Sequence, residues 1–247
     1  MHIYKKQGNH IHATIPRRLM NTYGEILKEG VIYKIQHFEV AATTRSYRPV
    51  TSTNNIIKWT SFTFIVEDDQ NMPIPKHKFE FYPTENISHR TNKQDYLIGK
   101  KEGTTNTQSN NTRYLQTFQC ADVVGYITVI ESKKKATISK GETQLRYIYI
   151  EDERKQPVGV TLWGHTADLI DEAEAVKGSE KTVVIITSTK VVDYKGESQL
   201  QSTYATKVYI NLDIPETRKL KESEDEPTRV KFVNNGITEG NADGHAK

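Results

Sequence analysis

The segment Val158-Gly159-Val160-Thr161-Leu162-Trp163-Gly164 carries the most chemically suggestive side chain of this sequence. Read as a strand, it sends Val158, Val160 and Leu162 to one face and Gly159, Thr161 and Trp163 to the other. The first face is a core face. The second is two small residues followed by a flat aromatic surface, a shape that suits a ligand with flat rings of its own, such as an unpaired base. Tryptophan is usually largely buried, so the segment taken alone also fits a ring packed under a loop. Lysines gather on either side in the sequence. Lys133, Lys134, Lys135 and Lys140 fall in one turn region, and Lys190 and Lys195 in another, with Tyr194 at its tip. Cations for a phosphate backbone and aromatic faces for bases are the two ingredients of single-strand binding.

Other chemistry finds less support. No glycine-rich phosphate loop is present, and Gly99-Lys100-Lys101 lacks the spacing of one. His10 and His12 share a strand face, but no third metal ligand accompanies them. The acidic pairs Asp68-Asp69 and Glu151-Asp152 fall in turns, where solvated acids are usual. The single cysteine, Cys120, excludes a disulfide framework and a cysteine-based zinc site. The residues therefore point to a binding protein, with no enzyme activity, no cofactor, no metal and no small-molecule substrate expected.

The elements that must position these residues are mainly strands. Thirteen tyrosines and frequent Val, Ile and Thr favour sheet. The net charge is +3, and residues 216–226 hold five acids and three bases, which leaves about +5 on the remainder. That balance permits a polyanionic partner. The start Met1-His2-Ile3-Tyr4-Lys5-Lys6 has no apolar run, so a signal peptide is not expected, and no stretch approaches a membrane span. A reducing interior compartment fits.

In chain order, Ile11 to Pro16 reads as a strand with Ile11, Ala13 and Ile15 on its core face. Leu19, Tyr23, Ile26 and Leu27 repeat at helical spacing, and Gly30 ends that helix. Strands are predicted over 31–40 and 56–66, with Arg45, Tyr47 and Arg48 in the polar hairpin tip between them. Residues 100–117 are almost wholly polar and read as a linker between a unit over 1–99 and one over 118–220. The second unit is predicted to hold strands at 123–130, 145–150, 158–163, 182–188 and 200–212, with a helix from His165 to Val176. Residues 221–247, and the charged run before them, read as a disordered tail.

The units repeat one another. Ile11-His12-Ala13-Thr14-Ile15-Pro16 aligns with Val158-Gly159-Val160-Thr161-Leu162-Trp163, and in each a helix, a strand, a basic-aromatic hairpin and a strand follow. Five strands with one helix between the third and fourth is the order of the OB-fold, a five-stranded Greek-key barrel. The fold class expected is all-β: two tandem OB barrels, each with one short helix.

At this level the motifs match a family. Cys120-Ala121-Asp122-Val123-Val124-Gly125, Val160-Thr161-Leu162-Trp163-Gly164 and Asn211-Leu212-Asp213-Ile214-Pro215-Glu216 resemble the large subunit of replication protein A, in its plant-type and transposon-associated forms. Gly8-Asn9-His10-Ile11-His12-Ala13-Thr14-Ile15 and Tyr33-Lys34-Ile35-Gln36-His37-Phe38 add to the resemblance, which covers about residues 1–220. It implies two consecutive DNA-binding domains and single-stranded DNA as partner. It implies a nuclear role in replication, repair or recombination, with other replication protein A-type subunits as further partners. By motif, Trp163 and Tyr194 match the base-stacking aromatics of the second domain, and Arg146 and Lys190 match basic positions near the strand path. Tyr47 matches a stacking aromatic of the first domain, and His12 a polar DNA contact. Two departures stand out. Pro16 occupies the place of the first domain's other aromatic, and the chain begins at the family's second strand, so the first barrel is expected to lack its first. The competing reading is a degenerate OB module that binds protein rather than DNA; the Trp163–Tyr194 pair flanked by lysines speaks against it.

Overall fold

A computed structural model describes residues 2–4, 10–42, 47–48, 54–68, 73–83, 87, 118–139, 141–171, 175, 182–194, 196–222 and 230–234. The chain divides into two units, one of residues 1–80 with 93–120 and one of residues 81–92 with 121–247. The predicted linker over 100–117 lies outside the described residues.

In the first unit, β1 (His2–Tyr4) pairs antiparallel with β2 (His10–Thr14). A 3-10 turn at Arg17–Leu19 and a single helical turn at Met20–Tyr23 follow, shorter than the helix predicted from the apolar spacing. The next strand is split into β3 (Tyr33–Gln36) and β4 (Glu39–Ala42). A two-residue strand, β5 (Tyr47–Arg48), pairs through its backbone with Phe118 and Gln119. β6 (Asn55–Lys58) then lies parallel to β2 and antiparallel to β4, and β7 (Phe64–Glu67) pairs with β3. Ile11, Ala13, Tyr23, Ile57 and Trp59 form the core, as the alternation in β2 requires. The Tyr23 ring meets Trp59 edge-on at 4.7 Å, and its hydroxyl donates to the Thr63 carbonyl at 2.5 Å.

Of β8 (Phe118–Glu131), residues 118–120 belong to the first unit and 121–131 to the second, which also contains β9 (Lys134–Ile138), β10 (Gly141–Glu151), β11 (Pro157–Trp163), β12 (Val183–Tyr194) and β13 (Glu197–Gln201). β8 pairs with β10, β10 with β11, β11 in parallel with β13, β13 with β12, and β12 again with β8. Five strands thus close on themselves with one parallel pair, which is the OB barrel. Val160, Leu162, Ile148, Ile150, Ile127, Ile130, Val184, Ile186 and Leu200 fill it, none more than 1 % exposed. Each contributes about 1.5–3 kcal/mol by leaving water. In the first unit, β1, β2, β6 and β4 carry the pairing of the second to fifth strands of this barrel. Among the described residues no strand takes the place of the first.

Both units break their last strand at the same device. Thr60 and Thr63 both donate hydroxyl hydrogen bonds to the His37 carbonyl, at 3.2 and 3.1 Å. Thr203 and Thr206 both donate to the Ser188 carbonyl, at 2.8 and 3.3 Å. His37 and Ser188 are left-handed, with φ of 58° and 54°. The continuous strands predicted over 56–66 and 200–212 are therefore corrected to pairs: β6 with β7, and β13 with β14 (Val208–Ile210), each interrupted by a Thr-X-X-Thr turn. The hydroxyls satisfy carbonyls that a plain ladder would leave to a neighbouring strand.

Two further expectations are corrected. The helix predicted from His165 starts as a 3-10 segment, Gly164–Asp168, and Leu169 is exposed while Ile170 is buried. The charged run after Ile214, expected to lack structure, forms a helix at Pro215–Glu222. Proline suits the first helical position, and Leu220 packs against Tyr126 and Val183. The Tyr126 hydroxyl donates to the Leu220 carbonyl. β15 (Lys231–Val233) adds to β8 in parallel. Residues 235–247 lie outside the described residues.

Candidate nucleic-acid interface

Strand register decides which side chains share the outer face of the second barrel. Tyr149 lies opposite Gly159, Tyr147 opposite Thr161, and Leu145 opposite Trp163. Thr161 pairs across with Gln201, Gln201 with Lys190, Gln199 with Val192, and Glu197 with Tyr194. Directly paired residues point to the same side of a sheet. One face therefore gathers Tyr147, Tyr149, Trp163, Gln199, Gln201, Lys190 and Tyr194. Gly159 keeps this floor low: a Cβ there would touch Gln199 at 3.5 Å and Tyr149 at 3.6 Å.

Trp163 stands at the rim. Its amide donates to Ser202 Oγ at 2.8 Å, and its carbonyl accepts from Thr166 Oγ1 at 2.7 Å. Ser202 Oγ and Thr166 Oγ1 are themselves 2.7 Å apart. Gly164 follows with φ of 57°, a conformation glycine adopts without cost, and turns the chain away from the rim. The indole is half-buried on the outer face. Tyr194 is 51 % exposed, at a hairpin tip fixed by the Gly196 amide donating to Asp193 Oδ1 at 3.0 Å.

The lysines differ in what holds them. Lys133 Nζ donates to Asp168 Oδ1 at 2.5 Å. Lys134 Nζ donates to Glu131 Oε2 at 2.7 Å and lies 5.2 Å from the Tyr147 ring centroid, a cation–π contact that ties this cation to the aromatic floor. Lys135 is exposed and Lys190 half-buried. The Lys133 hydrogen bond holds the Asp168 carboxyl below its ordinary range against desolvation, which raises it, and the Lys133 charge, the Gln144 hydrogen bond and the Arg146 charge add lesser lowering effects.

Arg146 is a correction. It pairs with Leu162 on the core side of β10, is 1 % exposed, and donates from Nη1 to the Ile170 carbonyl at 3.1 Å. A guanidinium in that position ties the segment after β11 to the barrel and presents no surface to a phosphate. Alternation exposes it in the sequence: Arg146 shares parity with Ile148 and Ile150. The same alternation puts Tyr147 and Tyr149 on the outer face, and these are the aromatics that reading by isolated motifs passes over.

In the first unit, His12 is half-buried on the outer face of β2. Of Tyr47 and Arg48 only the backbone is described, and Arg45, Lys140 and Lys195 lie outside the described residues. Among the described residues no group of three or more His, Cys, Asp or Glu side chains could hold a metal ion, and no helix is long and apolar enough to cross a membrane.

Comparison with known proteins agrees with this fold. Residues 110–211 match the family described as "Replication protein A OB domain", and residues 1–90 match "Domain of unknown function DUF223". The chain is 27 % identical over 219 residues to the replication protein A 70 kDa DNA-binding subunit of Xenopus laevis, covering 87 % of this chain and 30 % of that protein. It is 22 % identical to a corresponding DNA-binding subunit of rice, covering 87 % of this chain and 29 % of that protein. The mouse subunit is 33 % identical over 102 residues, or 40 % of this chain and 15 % of that protein. The chain thus spans about 30 % of the length of the curated relatives it matches over most of its own. The structure of a replication protein A heterotrimer bound to ssDNA superposes with a TM-score of 0.52 at 21 % identity, covering 86 % of this chain and 43 % of that one, and so shares the fold.

Proposed function

Because the chain is a replication protein A large-subunit-like protein whose second unit closes into a five-stranded barrel, we propose that it binds single-stranded DNA across the outer face of that barrel. The observation that carries this reading is the convergence of Trp163, Tyr147, Tyr149 and Tyr194 with Lys134 and Lys190 on one side of β10, β11 and β12. Aromatic faces without hydrogen-bond readout stack on any base, and lysines beside them neutralise phosphates. In this reading Trp163 and Tyr194 each hold a base, and Tyr147 and Tyr149 floor the path. Lys135 and Lys190, with Lys140 and Lys195, meet the backbone. On the first unit, His12, Arg45, Tyr47 and Arg48 make DNA contacts of the same kind. The named relatives are DNA-binding subunits. That supports a nuclear role in DNA replication, repair or recombination, alongside other subunits of the same type.

The test pairs affinity with stability. Wild-type protein and W163A are titrated with single- and double-stranded oligonucleotides of equal length, and their melting temperatures are compared. Single strands should bind well ahead of duplex, since a duplex hides base faces. W163A should lose about 1–3 kcal/mol of single-strand affinity, the worth of one base–aromatic stack. Its melting temperature should move little, because the ring lies outside the barrel core. Equal affinity for the two forms overturns the stacking reading, and normal binding by a W163A protein that melts far lower makes the ring structural.

A further inference from the structure

Strand β7 of the first unit has an apolar, uncovered edge. Its pairing with β3 sets Ile65 opposite Ile35, and both pack against the core. Alternation turns Phe64 and Val66 to the other side, where they lie opposite Gln36 and Lys34 and are 55 % and 47 % exposed. Phe62, in the turn just before, is 83 % exposed. A lone exposed apolar side chain is ordinary. A stripe of them along one strand marks a contact surface. β3 and β7 form a two-stranded sheet by themselves, so among the described residues no strand lies beside the second edge of β7. The backbone groups along that edge are open to another strand.

Proteins normally blunt such an edge with lysine, proline or a charge that points across it. The run from Thr60 to Val66 holds no charged residue, no proline and no glycine. The second unit supplies the contrast. Its Thr203–Thr206 turn is built like the Thr60–Thr63 turn, and Lys207 follows where the first unit has Phe64. Lys207 is exposed, and the strand after it, β14, is half-buried along its length. The same structural position thus carries a lysine in one unit and an exposed ring in the other.

We propose that β7 is a self-association edge: two copies of this chain pair through it, antiparallel about a two-fold axis at Ile65, into a four-stranded sheet of order β3-β7-β7-β3. The strand is complementary to itself in this register. With Ile65 opposite the partner's Ile65, Phe64 meets the partner's Val66 and Val66 the partner's Phe64, apolar against apolar on one face. Glu67 meets the partner's Thr63, so no like charges oppose one another. A slip by one residue would send the two apolar stripes to opposite faces, which fixes the register. The two-fold axis closes the contact at a dimer and leaves no second β7 edge for a third copy. The paired segment is only four residues long, which puts the interface at the small end and makes the dimer dependent on concentration. This association needs no nucleic acid and stands apart from the single-strand reading of the second unit.

The test uses the full chain, freed of nucleic acid, over a series of concentrations. Sedimentation equilibrium gives the dimer Kd of wild type, F64K, V66E and F64K/V66E, with melting temperatures alongside. Amide hydrogen exchange over residues 64–67 of wild type is followed at the same concentrations. Wild type should dimerise, and exchange over 64–67 should slow as the dimer forms. Each single substitution should weaken dimerisation roughly 2- to 30-fold, the worth of the two cross-strand pairs it spoils. The double variant sets each introduced lysine opposite an introduced glutamate of the partner, so it should dimerise more tightly than the two single losses combined predict. Both side chains are exposed, so melting temperatures should stay close to that of wild type. The exchange measurement needs no substitution and decides the matter even where a variant folds poorly. A wild type that stays monomeric at every concentration overturns the proposal. So does a dimer that F64K and V66E leave untouched, exchange over 64–67 that ignores dimer formation, or losses that simply add in the double variant.

Discussion

The amide of Trp163 donates to the hydroxyl of Ser202 at 2.8 Å, so the last residue of β11 is fastened to the first residue after β13. The same hydroxyl meets Thr166 Oγ1, whose own hydrogen bond runs to the Trp163 carbonyl. Both backbone groups of the tryptophan are thus held by two buried side chains, 7 % and 1 % exposed. The backbone that carries the ring is thus ordered before a ligand arrives, which lowers the ordering cost of binding.

Ser202→Ala removes the acceptor and leaves the Trp163 amide and the Thr166 hydroxyl short of a partner. The expected cost is about 1–3 kcal/mol of stability, the penalty for a buried polar group deprived of its bond. Single-strand affinity should fall as well, by less than in W163A, because the ring remains but its backbone is loosened. Thermal melting and an oligonucleotide titration on the same preparation check both. An affinity loss equal to that of W163A, with unchanged melting, contradicts the bracing role.

Arg146 and the surface lysines should separate cleanly. Arg146→Ala removes a buried guanidinium and leaves the Ile170 carbonyl without that donor. A stability loss of about 2–5 kcal/mol is expected, typical of breaking a buried charged network. The salt dependence of the folded variant's DNA affinity should stay the same. Lys135→Ala and Lys190→Ala should do the opposite, keeping stability and flattening the slope of log affinity against log salt by about 0.7 for each phosphate no longer neutralised. A flattened slope in the arginine variant contradicts its placement inside the barrel.

What the sequence discloses and what it hides follow from the range of the forces involved. Alternation of Val158, Val160 and Leu162 is local, and those residues are 7 %, 1 % and 0 % exposed. The alignment of 11–16 with 158–163 is equally local, and the parallel pairings β2–β6 and β11–β13 bear it out. Arg146 is misread because its charge suggests surface, although its parity with Ile148 and Ile150 says core. The split strands stay hidden for another reason. The left-handed residues are His37 and Ser188, neither a glycine, and each is held there by two threonines far along the chain. Nothing in a short window announces such a contact. The helix at Pro215–Glu222 is hidden similarly, since its charge suggests solvent and only Thr217 and Leu220 turn inward.

Asp168 restrains one of the cations counted toward DNA binding. It accepts from Lys133 at 2.5 Å and from Gln144 at 2.7 Å, and the Lys133 hydrogen bond is the main reason its carboxyl stays below its ordinary 3.8. A carboxyl whose folded value is depressed stabilises the fold above its unfolded value, and that contribution disappears as the pH falls through the lowered folded value. Wild type should therefore lose a small part of its stability on acidification below about 3.8, a part absent from Asp168→Asn. The effect is modest because the pair is solvated. The larger consequence concerns binding. At neutral pH, Asp168→Asn leaves Lys133 without a carboxylate, so its charge is available to a phosphate. Single-strand affinity at low salt should rise, and the salt slope should steepen by about 0.7, as for one more neutralised phosphate. Lys133→Ala in the same background should cancel both gains. Titrations at several salt concentrations decide it: an unchanged slope in Asp168→Asn would mean that the strand does not pass over Lys133, and would move its path toward Lys135 and the Tyr194 hairpin.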